Sequence, residues 1–229
     1  MHKLKLTYLI ICFSLSCISI AQNTHSENLK TLDKLLSNKD FTKAQVQLTQ
    51  NINDLKAKKS YYLLTDYIYY TGKINLELHN SDKAISAVNA LIKSISSLTD
   101  SIKVLRQAQI ELSSYYELIN YSQKAYNSNL EALKLTSKWS KATPEDYGLI
   151  ENNLGTLAIR KGNIDLGISH HRKALKHYES YPKTDKKNLY IIYNSLGGSM
   201  WYVSKIDSAL YYYQKAEKTL NHLEAIPMN

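Results

Sequence analysis

Three asparagines, Asn152, Asn153 and Asn194, are the residues whose type and spacing best suit recognition. A carboxamide carries both a donor and an acceptor, so it can pair with the backbone of an extended peptide without reading its side chains. Thr156 follows Asn152 by one turn of helix, and Trp201 and Tyr202 follow Asn194 by about two. Those aromatics would give a ligand a floor. The same residue types have a structural reading: asparagines can tie neighbouring helices together, and aromatics at helical spacing fill cores.

No other constellation points to chemistry. His170, His171 and His177 fall in one predicted helix, and His170 and His177 share a face. With no carboxylate expected beside them they make a poor metal site, and a solvated basic face with Arg172, Lys173 and Lys176 is the expectation. That face lacks interleaved aromatics and a base-reading motif, so nucleic acid is not expected as a partner. The sequence holds no Gly-rich phosphate loop, no nucleophile elbow and no HExxH. Its carboxylates are few and unpaired, which leaves acid–base catalysis unsupported. No catalytic residue, no cofactor-binding residue and no metal ligand is expected.

The elements that hold these residues are legible around Tyr147 to Pro182. Thr143-Pro144-Glu145-Asp146 reads as a helix start, with a capping Thr, Pro at the first helical position and acids in the first turn. Gly162-Asn163 closes that helix and caps the next. Gly155 on the first helix, with Gly167 and Ala174 on the second, are small residues that let two antiparallel helices approach closely. The pattern recurs along the chain. Ala44, Ala84, Ala125, Gly167 and Ala209 are spaced by 40, 41, 42 and 42 residues. Leu32, Gly72, Ser113, Gly155 and Gly197 keep the same register, as do Asn51, Leu91, Ala132, Ala174 and Ala216. A fourth row runs Ile52, Ile92, Leu133, Leu175 and Glu217. Leading helices are predicted near 26–37, 60–78, 102–119, 144–161 and 186–203. Following helices are predicted near 40–57, 82–98, 122–140, 164–180 and 206–224. Ser81-Asp82 and Ser204 with Asp207 read as further caps.

Over nearly all of residues 26–224 this arrangement resembles the tetratricopeptide-repeat family, with Leu154-Gly155, Gly162-Asn163, Gly167-Ile168 and Ala174-Leu175 carrying the likeness. The resemblance implies an all-α, right-handed α-solenoid of about five helix–turn–helix units, near 26–57, 60–98, 102–140, 144–180 and 186–224. Units of about 40 residues, longer than the usual 34, resemble those of kinesin light chain and of bacterial peptide-sensing and sensor-kinase receptors. In those relatives similar asparagines hold peptide backbone. The resemblance thus places a ligand groove on the leading helices, at Asn152, Asn153, Thr156, Asn194, Trp201 and Tyr202. The lysine/asparagine clamp that the chaperone-binding members use for a terminal carboxylate is not found at matching positions.

Bulk properties agree. Only 7 Gly and 3 Pro among 229 residues permit long helices and provide poorly for hairpins. The 19 Tyr against 2 Phe suit thin layers in which a hydroxyl stays wet. Residues 1–21 read as a secretory signal peptide, with Lys3 and Lys5 before an apolar run from Leu6 to Ile20 and a small-residue cleavage site before Gln22. Anchoring as a lipoprotein through Cys17 is disfavoured, since Ser14 stands where a lipobox carries Leu. Cys12 and Cys17 both leave with the leader, and the formal charge of +9 falls to +7 without Lys3 and Lys5. The domain at 22–229 is therefore expected outside the cytoplasm, periplasmic or extracellular, with no membrane span. Its last helix carries Ile206, Leu210, Tyr213, Leu220 and Leu223, an apolar face that self-association or a partner would cover. The expectation is a non-enzymatic scaffold for a protein or extended peptide, or else the sensory input region of a bacterial signalling receptor.

Overall fold

A computed structural model of the chain describes residues 23–224, with side chains described as far as Leu220. The leader expected at residues 1–21, Cys17 and the terminal Pro227-Met228-Asn229 lie outside the described residues. All regular structure among the described residues is helical. Helix α1 covers 23–37 and α2 runs Phe41–Ala57. A 3-10 segment, Tyr61–Tyr67, leads into α3, Ile68–Leu78, and α4 is Ser81–Leu98. Then come α5, Ile102–Leu118; α6, Ser122–Lys138; α7, Pro144–Arg160; α8, Ile164–Glu179; α9, Lys186–Tyr202; and α10, Ile206–Glu224. These are the five helix pairs read from the sequence. The second leading helix differs in that it winds as 3-10 before Ile68. Thr65 donates to the Tyr62 carbonyl there at 3.0 Å, and four of the seven residues are buried.

The chain divides into two compact units, one up to Ile95 and one from Ser96. The spacing of the small-residue rows changes from 40 and 41 to a regular 42 near the same place. In the first unit the core gathers Leu32, Leu48, Leu64, Tyr67, Ile68 and Ile74. Tyr67 lies within 3.3 Å of His25 Nδ1, and His25 Nε2 meets Asp66 at 2.8 Å. Burial pushes the Tyr67 hydroxyl up to about 12. In the second unit α5 pairs with α6, α7 with α8 and α9 with α10; α6 packs on α7, and α8 on α9.

The rows found in the sequence are the lines along which the helices touch. All five members of the Ala44 row, of the Gly155 row and of the Ala174 row are buried. A β-carbon added to Gly167 would lie 2.8 Å from the Gly155 carbonyl oxygen, closer than side chains tolerate. In the fourth row only Glu217 is exposed.

The ends of the helices follow local chemistry. Thr143 and Asp146 form the reciprocal capping box, with Pro144 at the first helical position. Asn163 caps α8 by accepting from the Leu166 amide at 3.4 Å. Two predicted caps are corrected. Asn80, not Ser81, caps α4, accepting from the Lys83 amide at 2.9 Å. Ser204 is not a cap at all: it turns through φ 56°, and α10 begins at Ile206.

Candidate functional site

Three polar links set the leading helices of the second unit side by side. Arg106 of α5 reaches Asp146 at the start of α7, with 3.1 Å between Nη2 and the carboxylate. Its Nε donates to Thr136 of α6 at 2.8 Å. Burial lowers the Arg106 pKa, and the Asp146 charge opposes only part of that shift. Glu145 of α7 accepts from the Asp185 amide at 2.9 Å and from Asn188 Nδ2 at 2.7 Å, which ties the start of α9 to α7. At the other end of α7, Arg160 pairs with Glu117 of α5 at 2.7 Å. Sequence reasoning missed Arg106, since nothing in a lone arginine announces that it will be 5% exposed.

The predicted recognition residues occupy α7 and α9. Asn194 is exposed beside exposed Ile191, and Trp201 and Tyr202 stand out at 62% and 67% exposure. On α7, exposed Leu149 occupies the position of Ile191 one 42-residue unit earlier, and half-buried Asn152 that of Asn194. Asn152 Oδ1 is closed off from solvent with no donor among the described residues. Asn153 and Thr156 are partly engaged inside the fold. Asn153 donates to Asn129 Oδ1 at 3.5 Å, and Asn129 donates to Ser113 Oγ at 2.5 Å. The Thr156 hydroxyl lies 3.2 Å from the Asn152 carbonyl and 3.4 Å from His171 Nε2.

The histidines of α8 are not the solvated face expected of them. His170 and His171 are 7% and 2% exposed. His170 Nδ1 meets Glu151 of α7 at 2.6 Å, and its Nε2 lies 3.1 Å from the Tyr126 hydroxyl of α6. The carboxylate not expected from the sequence comes from the neighbouring helix. His171 Nδ1 donates to Ser199 Oγ of α9 at 2.9 Å, because that hydroxyl is itself committed to the Ser195 carbonyl at 2.7 Å. Burial pushes His171 down to about 4, so its imidazole is neutral. Among the described residues no group of three His, Cys, Asp or Glu side chains could hold a metal ion. No described helix is long and apolar enough to cross a membrane.

Helix pairs meeting at small residues, each pair of the second unit laid on the next, define an all-α repeat protein of the α-solenoid class. Residues 146–221 match the family model of the tetratricopeptide repeat. Its fold is similar to the crystal structure of BtubC from P. vanneervenii, with a TM-score of 0.66 at 18% identity over 86% of this chain and 80% of that one. It is similar to MamA, with a TM-score of 0.51 at 20% identity over 85% of this chain and 97% of that one. It is also similar to a signal transduction ATPase with numerous domains from Pyrococcus horikoshii, which carries a tetratricopeptide repeat sensor. There the TM-score is 0.61 at 20% identity, over 86% of this chain and 30% of the other. No curated protein matches the sequence. At these identities the likeness is one of fold alone; the tetratricopeptide-repeat match at residues 146–221 supports a role in protein interaction.

Proposed function

We propose that the chain is a non-enzymatic scaffold, exported from the cytoplasm, that binds an extended protein segment along the α7–α9 face. One observation carries this reading. Asn194 lies exposed, its side chain without a hydrogen bond to another described residue, between exposed Ile191 and the exposed pair Trp201 and Tyr202. Leu149 and Asn152 hold the equivalent positions one unit earlier, with Leu149 exposed and Asn152 half-buried, its Oδ1 closed off from solvent. Carboxamides spaced at the unit repeat can grip a backbone, and the apolar side chains beside them give it area to bury. Asn153, tied to Asn129, and Thr156, whose hydroxyl lies on the Asn152 backbone carbonyl, flank Asn152 on α7. Peptides selected from a displayed random library on the purified chain provide the test. Alanine at Asn152, Asn153 and Asn194 together should weaken the best binder by more than about tenfold, as the loss of two or three net hydrogen bonds implies. Unchanged affinity would remove the asparagines from the site. Export rests on the leader-like residues 1–21, and N-terminal sequencing of chain recovered outside the cytoplasm should begin at Gln22.

The likeness to the Pyrococcus horikoshii sensor favours a second reading, in which this chain is the input region of a signalling receptor. A membrane span and output domain encoded immediately downstream of Asn229 would support it.

A further inference from the structure

We infer that the outer face of α8 is a second binding site, separate from the α7–α9 face, that receives an acidic segment of a partner protein. The sequence places Arg172, Lys173 and Lys176 on one stripe of α8. The fold brings Lys205, from the turn between α9 and α10, to the same groove, whose volume is about 480 Å³. The four cations are exposed, and no ion pair among the described residues joins any of them to a carboxylate. Asp165, also on the lining, is the one acid against them. Four like charges left unpaired around one hollow repel each other, and an anionic occupant relieves that repulsion.

The groove also has an apolar floor. Ile168 and Met200 line it while being 8% and 2% exposed, so they lie below the level of the cations. That recess separates the candidate occupants. An anionic bilayer is met by basic residues together with protruding apolar or aromatic side chains, and here the apolar atoms are sunk. Single-stranded nucleic acid is held by aromatic platforms, and none lines this groove. A peptide in which carboxylates flank one aliphatic side chain fits both features: the side chain enters the hollow and the carboxylates reach the lysines and the arginine.

The probe is a fluorescein-labelled twelve-residue peptide of Glu and Asp around one central Leu, titrated into the purified chain by anisotropy. Two partners accompany it, one with Gln and Asn for the acids and one with Gln for the Leu. Vesicles of phosphatidylglycerol form a separate arm. Binding of the acidic peptide should fall about tenfold or more between 50 and 300 mM salt, and by a similar factor in the Arg172→Gln/Lys176→Gln chain. Lys173→Gln/Lys205→Gln is an independent pair. All four side chains are exposed, so helicity and the melting midpoint should be unchanged in both variants. Equal binding by the variants, indifference to the central Leu, or binding to vesicles without binding to the peptide would each overturn the assignment.

Discussion

The imidazole of His171 lies directly over Gly155, so closely that a β-carbon on the glycine would meet the ring at His171 Cδ2. Two neighbouring units make the same contact with different partners. One unit earlier, Ser113 faces Asn129, which donates to its hydroxyl at 2.5 Å. One unit later, the Tyr213 ring covers Gly197, where a β-carbon would meet it at 2.6 Å. Each pair is displaced from the next by 42 positions. The leading-helix residue shrinks where its partner on the following helix grows, and the spacing between helices is kept.

This trade can be tested by copying one unit into another. Gly155→Ser alone forces a side chain into the imidazole and should cost about 2–3 kcal/mol, in the range of an overpacked core. Gly155→Ser with His171→Asn reproduces the Ser113–Asn129 pair and should recover most of that loss. Urea unfolding of the single and double variants gives the coupling energy. A double variant no more stable than Gly155→Ser would show that the two positions do not compensate.

His171 also makes stability depend on pH. Its polar neighbours, Ser199 Oγ and Thr156 Oγ1, are uncharged, and Glu151 is spent on His170. Burial is the main cost of an imidazolium here; the Asn152 backbone carbonyl offsets only part of it and His170 adds to it, so the folded value is pushed down to about 4. In the unfolded chain a histidine titrates near 6.5. Above pH 6.5 both states are neutral and this residue adds no pH dependence. Below it the unfolded chain takes up a proton that the folded chain refuses, so stability falls as pH drops from 6.5 toward 4. The whole loss is on the order of 3 kcal/mol. Denaturant midpoints measured between pH 7 and 4.5 should show a slope that is shallower in His171→Asn. An identical slope would assign the titration to another group.

How much of this was open to sequence reading depends on whether a residue's partner is local. The small-residue rows declare themselves because glycine and alanine recur at fixed intervals, and every member of three rows proved buried. The Thr143 box was readable because its partner, Asp146, is three residues away. The row Asn129, His171, Tyr213 was not readable. Its members share neither size nor polarity, and only the residue across the helix crossing explains each one. His170 looked like a solvated base because Glu151 lies 19 residues away on another helix, at 2.6 Å in the fold. The asparagines of the α7–α9 face lie between these cases, since spacing placed them on a helix face but could not reveal that Asn153 would reach Asn129.

Arg106 extends the same exchange to a buried charge. Counting 42 residues on from Arg106 leads to Gly148, and from Thr136 to Tyr178. In the later unit the Tyr178 ring fills the space over Gly148, where a β-carbon would meet it at 2.6 Å. In the earlier unit the long side chain comes from the leading helix and the short one from its partner. Arg106→Ala would leave a cavity, take the cation from part-buried Asp146 and remove the donor to the Thr136 hydroxyl, although Asp146 keeps its Thr143 bonds and Thr136 its bond to the Ala132 carbonyl. A loss of about 3 kcal/mol is expected, as for breaking one side of a buried pair. Arg106→Gly with Thr136→Tyr, which transplants the later unit's pair, should be more stable than Arg106→Ala by thermal melting. A less stable double variant would mean that the two units are not interchangeable at this contact.

The turns between paired helices give the last test. Asn120, Gly162 and Ser204 occupy one repeat position, and all three have positive φ, at 60°, 81° and 56°. Only Gly162 takes that left-handed conformation without a steric penalty. Asparagine tolerates it better than most residues, whereas serine has no such advantage. Ser204 keeps the geometry because its amide donates to the Trp201 carbonyl and the next amide donates to that of Met200, both at 2.9 Å. Ser204→Gly relieves the strain and leaves both bonds in place, though it makes the unfolded chain more flexible. The strain is the larger effect, so a net gain of about 0.5–1 kcal/mol is expected. Gly162→Ser should lose a similar amount by the reverse route, since nothing lies within 4 Å of its missing side chain to contribute a clash. Opposite shifts of the melting midpoint in the two variants would establish backbone strain as the cause. Shifts in the same direction would mean that packing around the turn, and not φ, sets its stability.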